Sequence, residues 1–146
     1  MGMLTDFFVS PADIAADYEF ALINEEDNTA FETYERREYK KLTSLELAQL
    51  RALLAHQPFS IDAHMLEVVS SEKHEGITEA FPDEFRDMLA DIRAEQIPDL
   101  AKKWSAAIIE EINYSPTVLE LVLSDLRDLA QIARNSGKGL YMWCNV

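Results

Sequence analysis

The sequence predicts a helix-rich α+β fold in a single globular domain spanning residues 1–146, with about five helices and a small, mostly antiparallel sheet that includes the C-terminal strand. Three observations lead there. The closing segment SPTVLELVLSDLRDLAQIARNSGKGLYMWCNV carries a helix start, an amphipathic run, a helix stop and an apolar ending. Apolar runs of strand length stand at Leu4–Val9, Met65–Ser70 and Gly76–Phe81. A chain of 146 residues, 48% hydrophobic and 27% charged, is long enough to bury one substantial core and too apolar to stay disordered.

Leu4–Val9 reads as the first strand. Ser10-Pro11-Ala12-Asp13 offers a capping residue with an acid three positions on, opening a helix that runs to about Leu22. Asn24–Asn28 is a polar loop. Phe31–Leu42 fits strand pieces through Tyr34, Tyr39 and Leu42, and fits an exposed helix through Glu32, Glu35, Arg36, Arg37 and Glu38; both stay open. Thr43 and Glu46 form a capping box, and Leu47, Leu50, Leu53 and Leu54 give the helix behind it a buried stripe that Pro58 ends. Met65–Ser70 and Gly76–Phe81 flank Ser71–Glu75 as a β-hairpin. A third helix follows Pro82, with Phe85, Met88, Leu89 and Ile92 on one face, and Pro98 opens a fourth with Leu100, Ala101, Trp104, Ile108 and Ile112 inward.

The last helix has Ser115 as cap and Pro116 at its first position. Val118, Leu119, Val122, Leu126, Leu129, Ile132 and Ala133 recur at helical spacing. Gly137 supplies the left-handed stop, and Leu140–Val146 is a buried strand that locks the C-terminus into the core.

Net charge is −14, from 27 acids against 13 bases, and it is uneven: residues 1–42 hold 10 acids and 4 bases, residues 62–111 hold 13 and 5. This balance disfavours nucleic acid and anionic membrane as partners and favours a basic protein. With no run of about 18 apolar residues, a membrane span is not expected. MGMLTDFF lacks a basic stretch and a long apolar segment, so no secretory signal is expected, and the lone Cys144 fits a reducing, cytoplasmic setting.

Asp83, Asp87, Asp91 and Glu95 are spaced by four, with Glu84 alongside, and form one acidic ridge if the third helix is continuous. Like charges at that spacing repel by about 0.2–0.5 kcal/mol per pair, which Arg86 and Arg93 relieve in part. The ridge is either a solvated face or a docking surface for a basic partner. Glu111, seven residues after Trp104, returns to nearly the same angular position among Ile108 and Ile112. It is either exposed at the helix end or buried as the best candidate site acid, with Trp104 beside it.

His56, His64 and His74 are eight and ten residues apart, which does not suit a zinc site; His56 is expected to meet the carbonyls of its helix end. Cys144, in an apolar strand, is expected to be inert. Asn135-Ser136-Gly137-Lys138-Gly139 leaves a helix C-terminus, the wrong order for a phosphate loop. No catalytic residues, cofactor or metal site are expected: GxSxG, HExxH, CxxC and dinucleotide fingerprints are all missing.

The Leu-rich helix Leu45–His56, the proline-led pattern Phe81–Ile92 and above all the ending LAQIARNSGKGLYMW resemble the YfbM-like family of bacterial proteins. The likeness covers residues 80–143 and rests on structural motifs; it implies no activity and no site residues. Function is therefore an expectation from charge. The leading one is an acidic interaction protein of the immunity or inhibitor kind, docking a basic partner through Asp83, Asp87, Asp91 and Glu95. The rival is a small-molecule binder or enzyme with a pocket at Trp104 and Glu111.

Overall fold

In the computed structural model, which describes residues 3–19, 35–70 and 75–145, the strands β1 (Leu4–Ser10), β2 (Arg36–Lys40), β3 (Glu67–Val68), β4 (Ile77–Ala80) and β5 (Gly139–Asn145) form one sheet in the order β2-β1-β5-β4-β3. Every neighbouring pair is antiparallel. The two ends of the described chain meet at its centre, where Leu4 lies opposite Asn145 and Ser10 opposite Gly139. Both faces of these central strands are buried, so their sequences read as near-continuous apolar runs instead of alternating. Phe7, Val9, Leu140, Met142 and Cys144 enter the main core; Phe8, Tyr141 and Trp143 enter a smaller cluster on the other face.

The described α-helices are α1 (Ser44–Leu54), α2 (Ile61–His64), α3 (Asp83–Ala90), α4 (Ile97–Ile108) and α5 (Pro116–Ser136). Helix α5 lies on β1 and β5 and is flanked by α3 and α4. Its ends form as the sequence predicts. Ser115 Oγ accepts from the Val118 amide at 3.2 Å, Pro116 occupies the first turn, and Gly137 takes φ +69°. Thr43 caps α1 by accepting from the Leu45 amide at 3.3 Å and donates its hydroxyl to Glu46 at 2.6 Å. Trp104 on α4 donates its indole N–H to the Glu46 carbonyl at 2.8 Å, fastening α4 to the start of α1.

Two expectations need correction, and one left open is decided for its described part. The helix expected from Ser10 starts as a 3-10 turn at Ala12–Asp17 and is α-helical at Tyr18 and Glu19, but Ser10 belongs to β1 and its hydroxyl donates to the Pro11 carbonyl at 2.7 Å instead of capping the helix. The part expected beyond Glu19, and the polar loop Asn24–Asn28, lie outside the described residues. Of Phe31–Leu42, residues 31–34 also lie outside, and Arg36–Lys40 is an edge strand whose charges guard the sheet against further pairing. The third helix ends at Ala90 instead of running on to Glu95. Ile92 turns into the core at 6% exposure, Arg93 is extended, and the Gln96 side chain accepts the Arg93 amide at 2.9 Å to start a separate 3-10 turn, Ala94–Gln96.

Candidate functional site

The break after Ala90 divides the four acids expected to share a ridge. Asp83 and Asp87 stay on α3, where both meet Arg86, at 3.3 and 3.0 Å. That arginine is anchored further by donating to the Lys138 carbonyl at 3.0 Å. Asp91 sits just past the helix and meets Arg134 of α5 at 2.8 Å, while Gln131 donates to the Ala90 carbonyl at 3.0 Å. Glu95, in the 3-10 turn, pairs with Arg93 at 3.4 Å. The uninterrupted, unneutralised ridge is thus not what the chain builds: burying Ile92 bends the backbone, and each acid has an arginine within reach. The Asp91 and Glu95 side chains are nonetheless 69% and 71% exposed, and ion pairs that open to water contribute only about 0–1 kcal/mol each.

The bend makes something else. Between the C-terminal ends of α1 and α3 and the start of α4 lies a groove of about 710 Å³. Its floor is apolar, with Leu53 and Leu54 from α1, Met88 and Ile92 from α3 and its exit, and Leu100 from α4. All but Ile92 are half-buried, so their apolar surface faces the groove incompletely covered. Asp91, Glu95 and Asp99 stand on its lip with Lys103, which reaches Asp99 at 3.0 Å, while Arg134 and Arg93 pair with Asp91 and Glu95 from outside the lining. His56 and Gln57 close the α1 side.

This end of α1 is a Schellman turn, in which the Gln57 amide donates to the Ala52 carbonyl at 3.0 Å and the His56 amide to Leu53 at 3.2 Å. It puts His56, where glycine is usual, at φ +56°. The contact between His56 and a carbonyl of its helix end is a backbone bond, which any residue at this position would make. The C-terminal ends of α1 and α3 bring partial negative charge to the groove and the N-terminal end of α4 partial positive charge.

Neither Trp104 nor Glu111 lines this groove. Trp104 is wholly buried and its one polar atom is spent on Glu46. Helix α4 stops at Ile108, so the angular argument no longer applies to Glu111; it lies in the following turn, exposed, with Gln49 Nε2 at 3.5 Å. The rival reading thereby loses its site acid. Among the described residues no group of three or more His, Cys, Asp or Glu is placed to hold a metal ion, and no helix is long and apolar enough to cross a membrane.

The unusual carboxylates are elsewhere, under the surface. Burial pushes Asp6, Glu46 and Glu79 above the ordinary carboxylate range, opposed by donors: the Tyr18 hydroxyl for Asp6, Thr43 for Glu46 and Ser44 for Glu79. Each is satisfied locally and none lines the groove. Sequence reasoning named two of the lip acids, Asp91 and Glu95, but missed Asp99 and the floor. The available signal was the placing of Leu54, Met88 and Leu100 at helix ends, where an apolar stripe outruns its helix partner. Comparison of the chain with protein-family models, with curated proteins and with solved structures gives no match.

Proposed function

We propose that this chain is a protein-interaction module that docks a basic partner on the face around the groove between α1, α3 and α4. The observation that carries the reading is the exposure of Asp91, Glu95 and Asp99 beside the groove in a protein of net charge −14, each held by one cation, Arg134, Arg93 and Lys103 in turn, that a basic partner would have to displace. Such a face attracts cations over a Debye length and loses that attraction in salt. Asp83 and Asp87 lie off the groove and serve with Arg86 to hold α3 against Lys138, between α5 and β5. The docking role expected of all four acids is therefore narrowed to Asp91 and Glu95, joined by Asp99.

The test is charge reversal. Bait carrying Asp91→Lys, Glu95→Lys and Asp99→Lys should lose the cationic proteins that wild-type bait retains at low ionic strength and releases at high. Bait carrying Asp83→Lys should keep them. Retention of the same partners by the triple variant would remove the reading.

A further inference from the structure

We infer that the Glu75 and Gly76 amides and the Trp143 indole N–H build a carboxylate-binding site, which the chain fills with a ligand of its own, Glu19. The site belongs to the sheet face that carries Phe8, Tyr141 and Trp143, and none of its residues lines the groove. It therefore stands apart from the docking role.

The geometry is that of a bound anion. Glu19 Oε1 accepts from the Gly76 amide and, at 3.2 Å, from Trp143 Nε1, while Oε2 accepts from the Glu75 amide at 3.0 Å. Both oxygens are held by N–H donors, and Glu19 is 1% exposed. Among the described residues no lysine, arginine or histidine forms an ion pair with it. Successive backbone amides aimed at one spot attract an anion without a cation beside it. An indole N–H only donates, so it adds to the same preference.

A carboxylate only accepts, and all three bonds form together. A carboxamide of the same shape cannot make them. One of its two ends is an NH₂ group, which would meet either the Glu75 amide or the Gly76 amide and the indole, donor against donor. Gly76 fits the same account. It does not take a positive φ, so conformation does not explain the glycine. A Cβ there would lie 2.8 Å from Glu19 Oε1 and 2.7 Å from Trp143 Nε1, so the amide reaches the carboxylate only because the Cα is bare.

The ligand is delivered by its neighbour. Tyr18 stacks on Phe8 with ring centroids 3.8 Å apart and donates its hydroxyl to Asp6 at 2.7 Å. Glu19, tethered next to this anchor, is present at high effective concentration, and a free carboxylate does not compete with it. Without the Glu19 carboxylate the donors should accept one from solution. Glu19→Ala removes a CH₂ and a carboxylate, the heavy atoms of an acetate ion, so acetate is the probe.

The full-length Glu19→Ala chain is unfolded by urea in rising sodium acetate, with sodium chloride at equal ionic strength and acetamide as controls and wild type alongside. Acetate should restore about half or more of the lost midpoint along a saturating curve, and shift the Trp143 indole N–H resonance over the same concentrations. Chloride and acetamide should do neither, and wild type should respond to acetate no more than to chloride. Glu19→Gln should lose as much of the midpoint as Glu19→Ala, because it keeps the shape and not the second acceptor.

Acetate acting no better than chloride, acetamide rescuing as well as acetate, or a Glu19→Gln midpoint at the wild-type value overturns the inference. An acetate response as large in wild type as in Glu19→Ala is a general solvent effect and overturns it too. Where Glu19→Ala is unfolded in chloride, circular dichroism in acetate decides: return of the native spectrum supports the site, and its failure to return overturns it.

Discussion

Trp143 donates its indole N–H to Glu19 Oε1 at 3.2 Å, tying the last strand to the segment that covers the second face of the sheet. Glu19 is 1% exposed and also accepts the amides of Glu75, at 3.0 Å, and Gly76. One carboxylate thus joins the chain's beginning, its β4 hairpin arm and its end. The arrangement explains a glycine: a Cβ at Gly76 would lie 2.6 Å from the Cys144 carbonyl oxygen, 2.7 Å from Trp143 Nε1 and 2.8 Å from Glu19 Oε1.

Removing the Glu19 carboxylate leaves two buried donors, the Gly76 amide and the Trp143 indole N–H, without an acceptor, besides the amide of exposed Glu75, and each buried one costs about 1–3 kcal/mol, not additively. Glu19→Ala should therefore lower the unfolding free energy by about 3 kcal/mol, read from urea denaturation. Gly76→Ala should be comparably destabilising, and in a double-mutant cycle the two should couple, since both dismantle the same contact. A loss under about 1 kcal/mol for Glu19→Ala would mean that the donors find water, contrary to their burial.

His56 offers a change in the opposite direction. At φ +56° a side chain is strained where glycine is not, while glycine costs about 0.5–1 kcal/mol in unfolded-chain entropy. The strain outweighs that entropy, so His56→Gly should stabilise the protein by roughly 0.5–1 kcal/mol and raise Tm by a few degrees. A lowered Tm would show that the imidazole itself holds the end of α1. Because His56 lines the groove, the same variant reports whether the ring takes part in binding.

How much of this was legible in the sequence depended on whether the deciding interaction was local. Ser115-Pro116 and Gly137 act on their own helix, and α5 begins and ends where they place it. Thr43 and Glu46 are equally local, and the box they form is present. The stop of α3 at Ala90 is not local: it follows from Ile92 seeking the core and from Gln131, far along the chain, taking the Ala90 carbonyl. Spacing by four therefore placed Asp91 and Glu95 on a helix that had already ended. Glu111 failed in the same way, counted along α4 beyond its last residue. The groove was beyond reach because it exists only between three helix ends.

The buried carboxylates give the protein an inverted acid response. A carboxyl whose folded-state pKa is raised binds its proton more tightly in the native state than unfolded, so stability falls as pH climbs from the ordinary value of 4.5 through the elevated one. Glu79, held by Ser44 and pushed up by burial, is the cleanest case. The raised carboxyls at Asp6, Glu46 and Glu79 should lower the melting temperature as pH climbs from about 4.5 toward neutrality. Glu79→Gln, neutral throughout, should gain stability at pH 7.5 and flatten the slope. A slope unchanged in Glu79→Gln would assign the response elsewhere.

Cys144 tests whether the C-terminal strand is as closed as its position implies. Burial pushes the thiol up to about 12, and its sulfur donates to the Leu42 carbonyl at 3.4 Å. At pH 8 only about one native thiol in ten thousand would be ionised, and the thiolate is the form that attacks a disulfide reagent. Labelling by an aromatic disulfide should then proceed through opening of the β1–β5 pair, where Thr5 lies opposite Cys144. Its rate should rise with sub-denaturing urea in step with the exposure of that strand, and approach the rate of a free thiol only once the protein unfolds. Stoichiometric labelling within the mixing time, with circular dichroism unchanged, would place the sulfur at the surface and would contradict the central strand pairing on which both cores depend.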